Sequence, residues 1–157
     1  MEPQPSLYLG GNGIVNLIPE DFKVENGKVY LREGRLNNLV SNAGFIQFYA
    51  PWCGHCRDYV STYKTFGDLV YDKKGNLLLL GAFNCTQPGC NSLLNTLRID
   101  SFPTIKYVEI LGGSGKKMIG GSPYRQVKLS EYKGSRDIAS MLKHACENGK
   151  VCVNRKK

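Results

Sequence analysis

The sequence predicts an α/β domain. Short apolar runs rich in aromatic and β-branched residues alternate with segments whose apolar residues recur every three or four positions. That is the pattern of strands and helices sharing one core. The chain has 157 residues, enough for one domain with its own core, and its apolar share of 41% suffices to fill one. No apolar run approaches the roughly 18–20 residues of a membrane span.

Residues 1–13 carry two prolines and three glycines, and a flexible N-terminal arm is expected there. The domain itself is expected over 14–149. Ile14-Val15-Asn16-Leu17-Ile18 reads as a first strand, ended by Pro19. Asn26-Gly27 signals a turn, with a short strand, Lys28 to Leu31, after it. Leu36, Leu39 and Val40 have helical spacing within Arg35 to Asn42, and Asn42-Ala43-Gly44 ends that segment. Phe45 to Ala50 suits a buried strand. A helix follows to about Asp72, with Tyr59, Val60, Tyr63, Phe66, Leu69 and Val70 as its core stripe.

After the turn at Asp72-Lys73-Lys74-Gly75-Asn76, Leu77 to Cys85 reads as a strand. Pro88 opens a short helix over Asn91 to Leu97, and a strand runs from Thr104 to Leu111. Gly112 to Gly121 holds five glycines in ten residues and is expected to be a flexible loop without a phosphate-binding pattern. Tyr124 to Tyr132 makes the last strand. Ser135 is expected to cap a final helix carrying Ile138, Ala139, Leu142 and Ala145, which Gly149 stops. A basic tail is expected over 150–157. No internal repeat is found.

The net charge is +8, mostly scattered, with local groups at Lys116-Lys117 and Arg155-Lys156-Lys157. Scattered charge reads as a solvated surface. No nucleic-acid-binding motif accompanies it, so nucleic acid is not an expected partner. A mild preference for acidic partners is compatible with the sign.

The chemistry concentrates at Phe45-Ile46-Gln47-Phe48-Tyr49-Ala50-Pro51-Trp52-Cys53-Gly54-His55-Cys56. Two cysteines stand three apart where a strand gives way to a helix. Cys53 then sits at the first turn, where unpaired N–H groups and the helix dipole favour a thiolate, and His55 adds partial positive charge. A thiolate is the nucleophile, and a dithiol that closes into a disulfide is what thiol–disulfide exchange requires.

Phe48-Tyr49-Ala50-Pro51-Trp52-Cys53-Gly54-His55-Cys56 resembles the active site of a protein disulfide isomerase domain of the thioredoxin superfamily. The resemblance covers roughly Ile14 to Asn148. It implies a thioredoxin fold, a central mixed β-sheet flanked by helices. It implies a thiol–disulfide oxidoreductase, oxidase or isomerase, acting on cysteine-containing proteins through a redox-active Cys53–Cys56 disulfide. Cys53 matches the attacking cysteine and Cys56 the resolving one. Trp52, Gly54 and His55 match the supporting residues around them. Phe102-Pro103-Thr104 matches a segment whose proline is cis and whose backbone pairs with extended substrate, so Phe102 and Pro103 become substrate-binding candidates. Tyr132-Lys133-Gly134-Ser135-Arg136 matches a pattern whose arginine lowers the pKa of the resolving cysteine; a surface arginine in a first helical turn is the other reading of Arg136. No cofactor and no metal are implied, and a thiol oxidase or glutathione is the expected redox partner.

The chain departs from that pattern at Gln47. The family has a buried acid there, which takes the proton of the resolving cysteine; an amide does not. The lysine that pairs with the acid falls at Ala82 by alignment, so both halves of a buried ion pair are replaced together, which is self-consistent. Turnover slower than that of a typical isomerase is expected.

Four further cysteines make six in all, a density that suits an oxidising compartment such as the endoplasmic reticulum lumen. Cys85 and Cys90 resemble a structural disulfide of several disulfide-isomerase domains, at tighter spacing. Cys146 and Cys152 enclose a glycine-containing turn and are also candidates to pair. Met1-Glu2-Pro3-Gln4-Pro5-Ser6 has no leader pattern, and Asn154-Arg155-Lys156-Lys157 is no KDEL-type signal. The expectations are a removed leader, another route to such a compartment, or one domain of a longer chain; in solution, a monomer. Two rivals remain. One is a client-binding, weakly active or redox-inert chaperone-like thioredoxin-fold module, which Gln47 favours. The other is a zinc site from Cys53, Cys56, Cys85 and Cys90, which the aromatic context and His55 disfavour.

Overall fold

The computed structural model describes residues 2–10 and 12–152. In chain order its elements are β1 (Ile14–Leu17), β2 (Phe22–Glu25), β3 (Lys28–Arg32), β4 (Ala43–Tyr49), α1 (Gly54–Val70), β5 (Leu79–Asn84), α2 (Cys90–Thr96), β6 (Thr104–Ile110), β7 (Lys116–Ile119), β8 (Ser122–Glu131) and α3 (Ile138–Gly149). The strands form one mixed sheet in the order β1-β5-β4-β6-β8-β3-β2, with β7 added on β8. β1, β5 and β4 run parallel, and the remaining pairings are antiparallel. This is the thioredoxin fold, with helices on both faces of the sheet.

β4 is central, and all seven of its residues are buried. Its side chains alternate between two cores, as a period of two requires. Phe45 and Tyr49 face α1 and α3, where Tyr59, Tyr63, Phe66 and Met141 meet them. Ile46 and Phe48 face α2 and β8, against Phe83, Leu94 and Val127.

Several expectations change. Arg35 to Asn42 is not an α-helix. The chain makes a single 3-10 turn at Glu33–Leu36 and then turns into β4. Three apolar residues, Leu36, Leu39 and Val40, preceded by Gly34 and interrupted by Asn37-Asn38, are too few to sustain a helix. Gly112 to Gly121 contains β7, which folds back on β8 in register from Lys116 opposite Arg125 to Ile119 opposite Ser122. β2 had no clear signal. It forms because Asn26 and Gly27, with φ of 52° and 76°, make the tight reversal that lays it against β3. Asp137, not Ser135, caps α3: its carboxylate accepts from Ser140 N–H at 2.8 Å.

The expected arm is a strap. Gln4 N–H donates to Thr86 Oγ1 at 2.9 Å, and Asn84 Nδ2 donates to the Gln4 carbonyl at 2.7 Å. Leu7 N–H donates to the Tyr49 hydroxyl at 3.1 Å, and Asn16 Nδ2 to the Tyr8 carbonyl at 3.1 Å. Tyr8 is fully buried, edge-on to Tyr49 and Tyr63. At the other end Val151 is buried and Cys152 is disulfide-bonded to Cys146. The basic residues 155–157 lie outside the described residues. Among the described residues no helix is long and apolar enough to cross a membrane.

Gly44 shows how tightly β4 and β5 are held. A Cβ added there would overlap the Leu79 carbonyl oxygen and side chain on the neighbouring strand. Gly44→Ala is expected to cost about 1–3 kcal/mol, read as a lower urea midpoint with unchanged slope. An unchanged midpoint would mean that the strands separate freely at this point.

Candidate active site

β4 ends at Tyr49, and Ala50-Pro51-Trp52 carries the chain to α1. Cys53 N–H donates to the Ala50 carbonyl at 3.0 Å and Arg57 N–H to the Cys53 carbonyl at 3.0 Å, so Cys53 is the residue that caps α1. Cys56 lies in the first turn. Neither is disulfide-bonded. Cys53 is partly exposed, whereas Cys56 is fully buried.

This difference in setting separates their acidities. Desolvation opposes ionisation of Cys53, yet the Cys56 backbone and thiol, the His55 backbone and the Arg136 charge together hold it below the ordinary thiol value. His55 thus acts on Cys53 through its main chain at the helix N-terminus. Burial pushes the Cys56 thiol up to about 12, against the Ala50 backbone and the Arg136 charge, which both favour ionisation. The exposed thiol is thereby the more acidic of the two.

The Cys53 thiol donates to the Phe102 carbonyl at 3.5 Å. The next peptide bond, Phe102–Pro103, is cis. Trp52 is 52% exposed, with its ring edge-on to Phe102 at 6.1 Å. Trp52, Cys53, Phe102 and Pro103 are therefore brought together. Beside Pro103 a groove of about 810 Å³ runs between Thr104, Tyr132, Lys133, Arg136 and Asp137. Arg136 is exposed, with its guanidinium 5.7 Å from the Tyr59 ring centre.

Gln47 is fully buried, directly across from Ala82 on β5. Its Nε2 donates to the Tyr8 hydroxyl at 3.0 Å, while its Oε1 has no hydrogen-bond partner among the described residues. Tyr8 was not anticipated, because a proline- and glycine-rich segment has no periodicity to mark a core residue. The usable signal was the apolar triplet Leu7-Tyr8-Leu9 amid polar residues.

The pairing of Cys85 with Cys90 is corrected: both are free and buried. The Cys85 thiol points to the Phe83 carbonyl at 3.7 Å, and Cys90 Sγ lies 2.8 Å from the Cys85 carbonyl and 2.7 Å from that of Gln87. Each thiol has turned to a backbone acceptor instead of to the other. Among the described residues no group of three or more His, Cys, Asp or Glu side chains is arranged to hold a metal ion.

Removing the Arg136 charge tests the electrostatics. Arg136→Ala is expected to raise the pH midpoint of Cys53 alkylation by iodoacetamide, by a few tenths of a unit given the arginine's exposure. An unmoved midpoint would leave the helix terminus and the Cys56 thiol to account for the lowered pKa.

The thioredoxin family model matches residues 29–142. A Dictyostelium discoideum protein named as a candidate protein disulfide-isomerase is 33% identical over 137 residues, 87% of this chain and 27% of that one. Protein disulfide-isomerase 1 of the same organism is 23% identical over 85% of this chain and 33% of its own length. The chain thus spans about a quarter to a third of these relatives. Among solved structures, the J-Trx1 fragment of ERdj5 superposes with a TM-score of 0.60 at 21% identity, over 92% of this chain and 55% of that one. The Trx4 domain of ERdj5 does so with 0.52 at 18% identity, over 88% and 96%. The chain belongs to the thioredoxin family, as a domain whose relatives over most of its length are protein disulfide-isomerases.

Proposed function

We propose that this domain is a thiol–disulfide oxidoreductase of the disulfide-isomerase kind, acting on cysteine-containing proteins. The observation that carries this reading is the unequal dithiol: a partly exposed thiol of lowered pKa at a helix N-terminus, one turn from a buried thiol of raised pKa. In the reducing direction the Cys53 thiolate attacks one sulfur of a substrate disulfide, and the other sulfur leaves as a thiolate. Cys56 then loses its proton and attacks Cys53 Sγ. The Cys53–Cys56 bond forms, the bond to substrate breaks, and the second substrate sulfur leaves and takes up a proton. Two electrons pass to the substrate; the reverse sequence donates a disulfide. Trp52, Phe102 and Pro103 form the face that receives the substrate segment, Gly54 and His55 supply the turn and backbone at the helix start, and Arg136 supplies positive charge.

The Cys146–Cys152 disulfide supports an oxidising compartment such as the endoplasmic reticulum lumen, with a thiol oxidase or glutathione as redox partner. The second reading, a client-binding module of low turnover, draws on Gln47: no carboxylate stands among the groups whose charges bear on Cys56.

Two variants and one potential test the choice. Cys53→Ser is expected to abolish reduction of insulin disulfides; unchanged reduction refutes the assignment. Gln47→Glu introduces a buried acid of raised pKa and is expected to increase turnover about tenfold or more; no increase places the slow step elsewhere. Equilibration with glutathione is expected to give a potential nearer the roughly −180 mV of a disulfide isomerase than the roughly −270 mV of thioredoxin. A value at the thioredoxin end overturns both the disulfide-donating role and the oxidising compartment.

A further inference from the structure

The groove beside Pro103 has polar walls, and most of their charges are spent internally. Glu131 and Lys133 pair with each other at 3.6 Å. The Asp137 carboxylate accepts from Ser140 N–H at 2.8 Å and from the Ser135 and Ser140 hydroxyls at 2.5 and 2.9 Å, so it serves the start of α3. Arg136 differs. Among the described residues it makes no ion pair. It is nonetheless held in place. The Tyr59 hydroxyl donates to the Arg136 carbonyl at 2.7 Å, and the guanidinium lies over the Tyr59 ring, 5.7 Å from its centre. Tyr59 is itself buried in the core under α1, so both anchors are fixed. A guanidinium over a ring face keeps its edge N–H donors for a planar acceptor such as a carboxylate.

We propose that Arg136 receives a carboxylate of the substrate, so that the domain prefers disulfides flanked within a few residues by aspartate or glutamate. This rests on the oxidoreductase reading and names a substrate class for it. The groove and the dithiol share one approach. Pro103 and Thr104 line the groove, and the Cys53 thiol donates to the carbonyl of Phe102, the residue before them. A substrate whose sulfur meets Cys53 against Phe102 and Pro103 therefore has the groove, with Arg136 on its wall, directly beside it. The Arg136 charge acts on both Cys53 and Cys56, which agrees with a position close to the reacting sulfurs. The two carboxylates that line the groove, Glu131 and Asp137, have their own partners and do not compete for the guanidinium. The net charge of +8 has the same sign. It draws acidic chains from a distance, whereas Arg136 fixes where one carboxylate comes to rest.

Short peptides closed by one disulfide carry glutamate, glutamine or lysine at a single position, stepped outward from one cysteine. The rate constant for oxidation of the reduced Cys53–Cys56 pair is measured with each peptide, for the unaltered chain and for Arg136→Ala. The expected result is a preference for glutamate over glutamine of about fivefold at one or two adjacent positions, the scale of one exposed ion pair, with lysine slower than glutamine. The preference is expected to shrink with added salt and to vanish in Arg136→Ala, whatever that variant does to the rate with glutamine. Lys73→Ala removes the same charge from the turn after α1 and is expected to keep the preference. Equal rates with glutamate and glutamine at every position overturn the proposal and leave the oxidoreductase reading standing. A preference that survives Arg136→Ala, or that Lys73→Ala removes equally, also overturns it and assigns the effect to net charge. If no peptide oxidises the pair in the unaltered chain, the oxidoreductase reading fails and this inference with it, an outcome distinct from the others.

Discussion

The burial of β4 on both faces and along both edges constrains everything around the dithiol. Parallel bonding to β5 and antiparallel bonding to β6 leave the strand no free register. The close approach at Gly44 and Leu79 fixes its height in the sheet. Its last residue therefore delivers Ala50-Pro51-Trp52 to one place, where α1 must begin. The backbone N–H groups that a helix leaves unpaired at its start then fall around Cys53. The acidity of that sulfur follows from where a strand ends as much as from its immediate neighbours.

The same junction sorts the two sulfurs into different roles. Three residues apart on a helix start, one faces outward and the other inward. The outward one meets amide dipoles and the Arg136 charge, and the inward one meets hydrocarbon and tyrosine rings. Two titratable groups whose surroundings push their pKa values apart suit the proposed division into a nucleophile and a reserve. Cys85 and Cys90 have no such asymmetry. Both are buried with raised pKa values and turned to carbonyl oxygens, so they behave as small apolar side chains with a weak donor.

The strand and helix that carry the site were legible in the sequence because their signals are local. Phe45 to Ala50 is too apolar for anything but a buried strand, and Tyr59, Tyr63, Phe66 and Val70 repeat at helical spacing. β7 was not legible, since five glycines dilute a four-residue strand whose strand pairing is with the distant β8. The 35–42 segment misled because helical spacing of three apolar residues does not distinguish a helix from a turn that folds them onto the same core. Ser135 and Asp137 are both acceptable caps, and only the position of the first helical turn chooses between them. Tyr8 was beyond local reading altogether. Its burial depends on strap contacts to Tyr49, Thr86, Asn84 and Asn16, which lie eight to 78 positions away from it.

Those strap contacts also explain why an amide is tolerated at Gln47. A lone carboxylate beneath Cys56, with Ala82 opposite in place of a cation, would leave a buried charge uncompensated, at a cost of several kcal/mol. The amide and the Tyr8 phenol share one hydrogen bond, and among the described residues Gln47 Oε1 has no partner, but unpaired neutral groups cost less than a buried charge. The smaller penalty favours the neutral pair for stability. Its consequence is chemical: an amide does not take up a proton as a carboxylate would. The strap, by filling the space next to Gln47 with a tyrosine, thus contributes to the stability of this core.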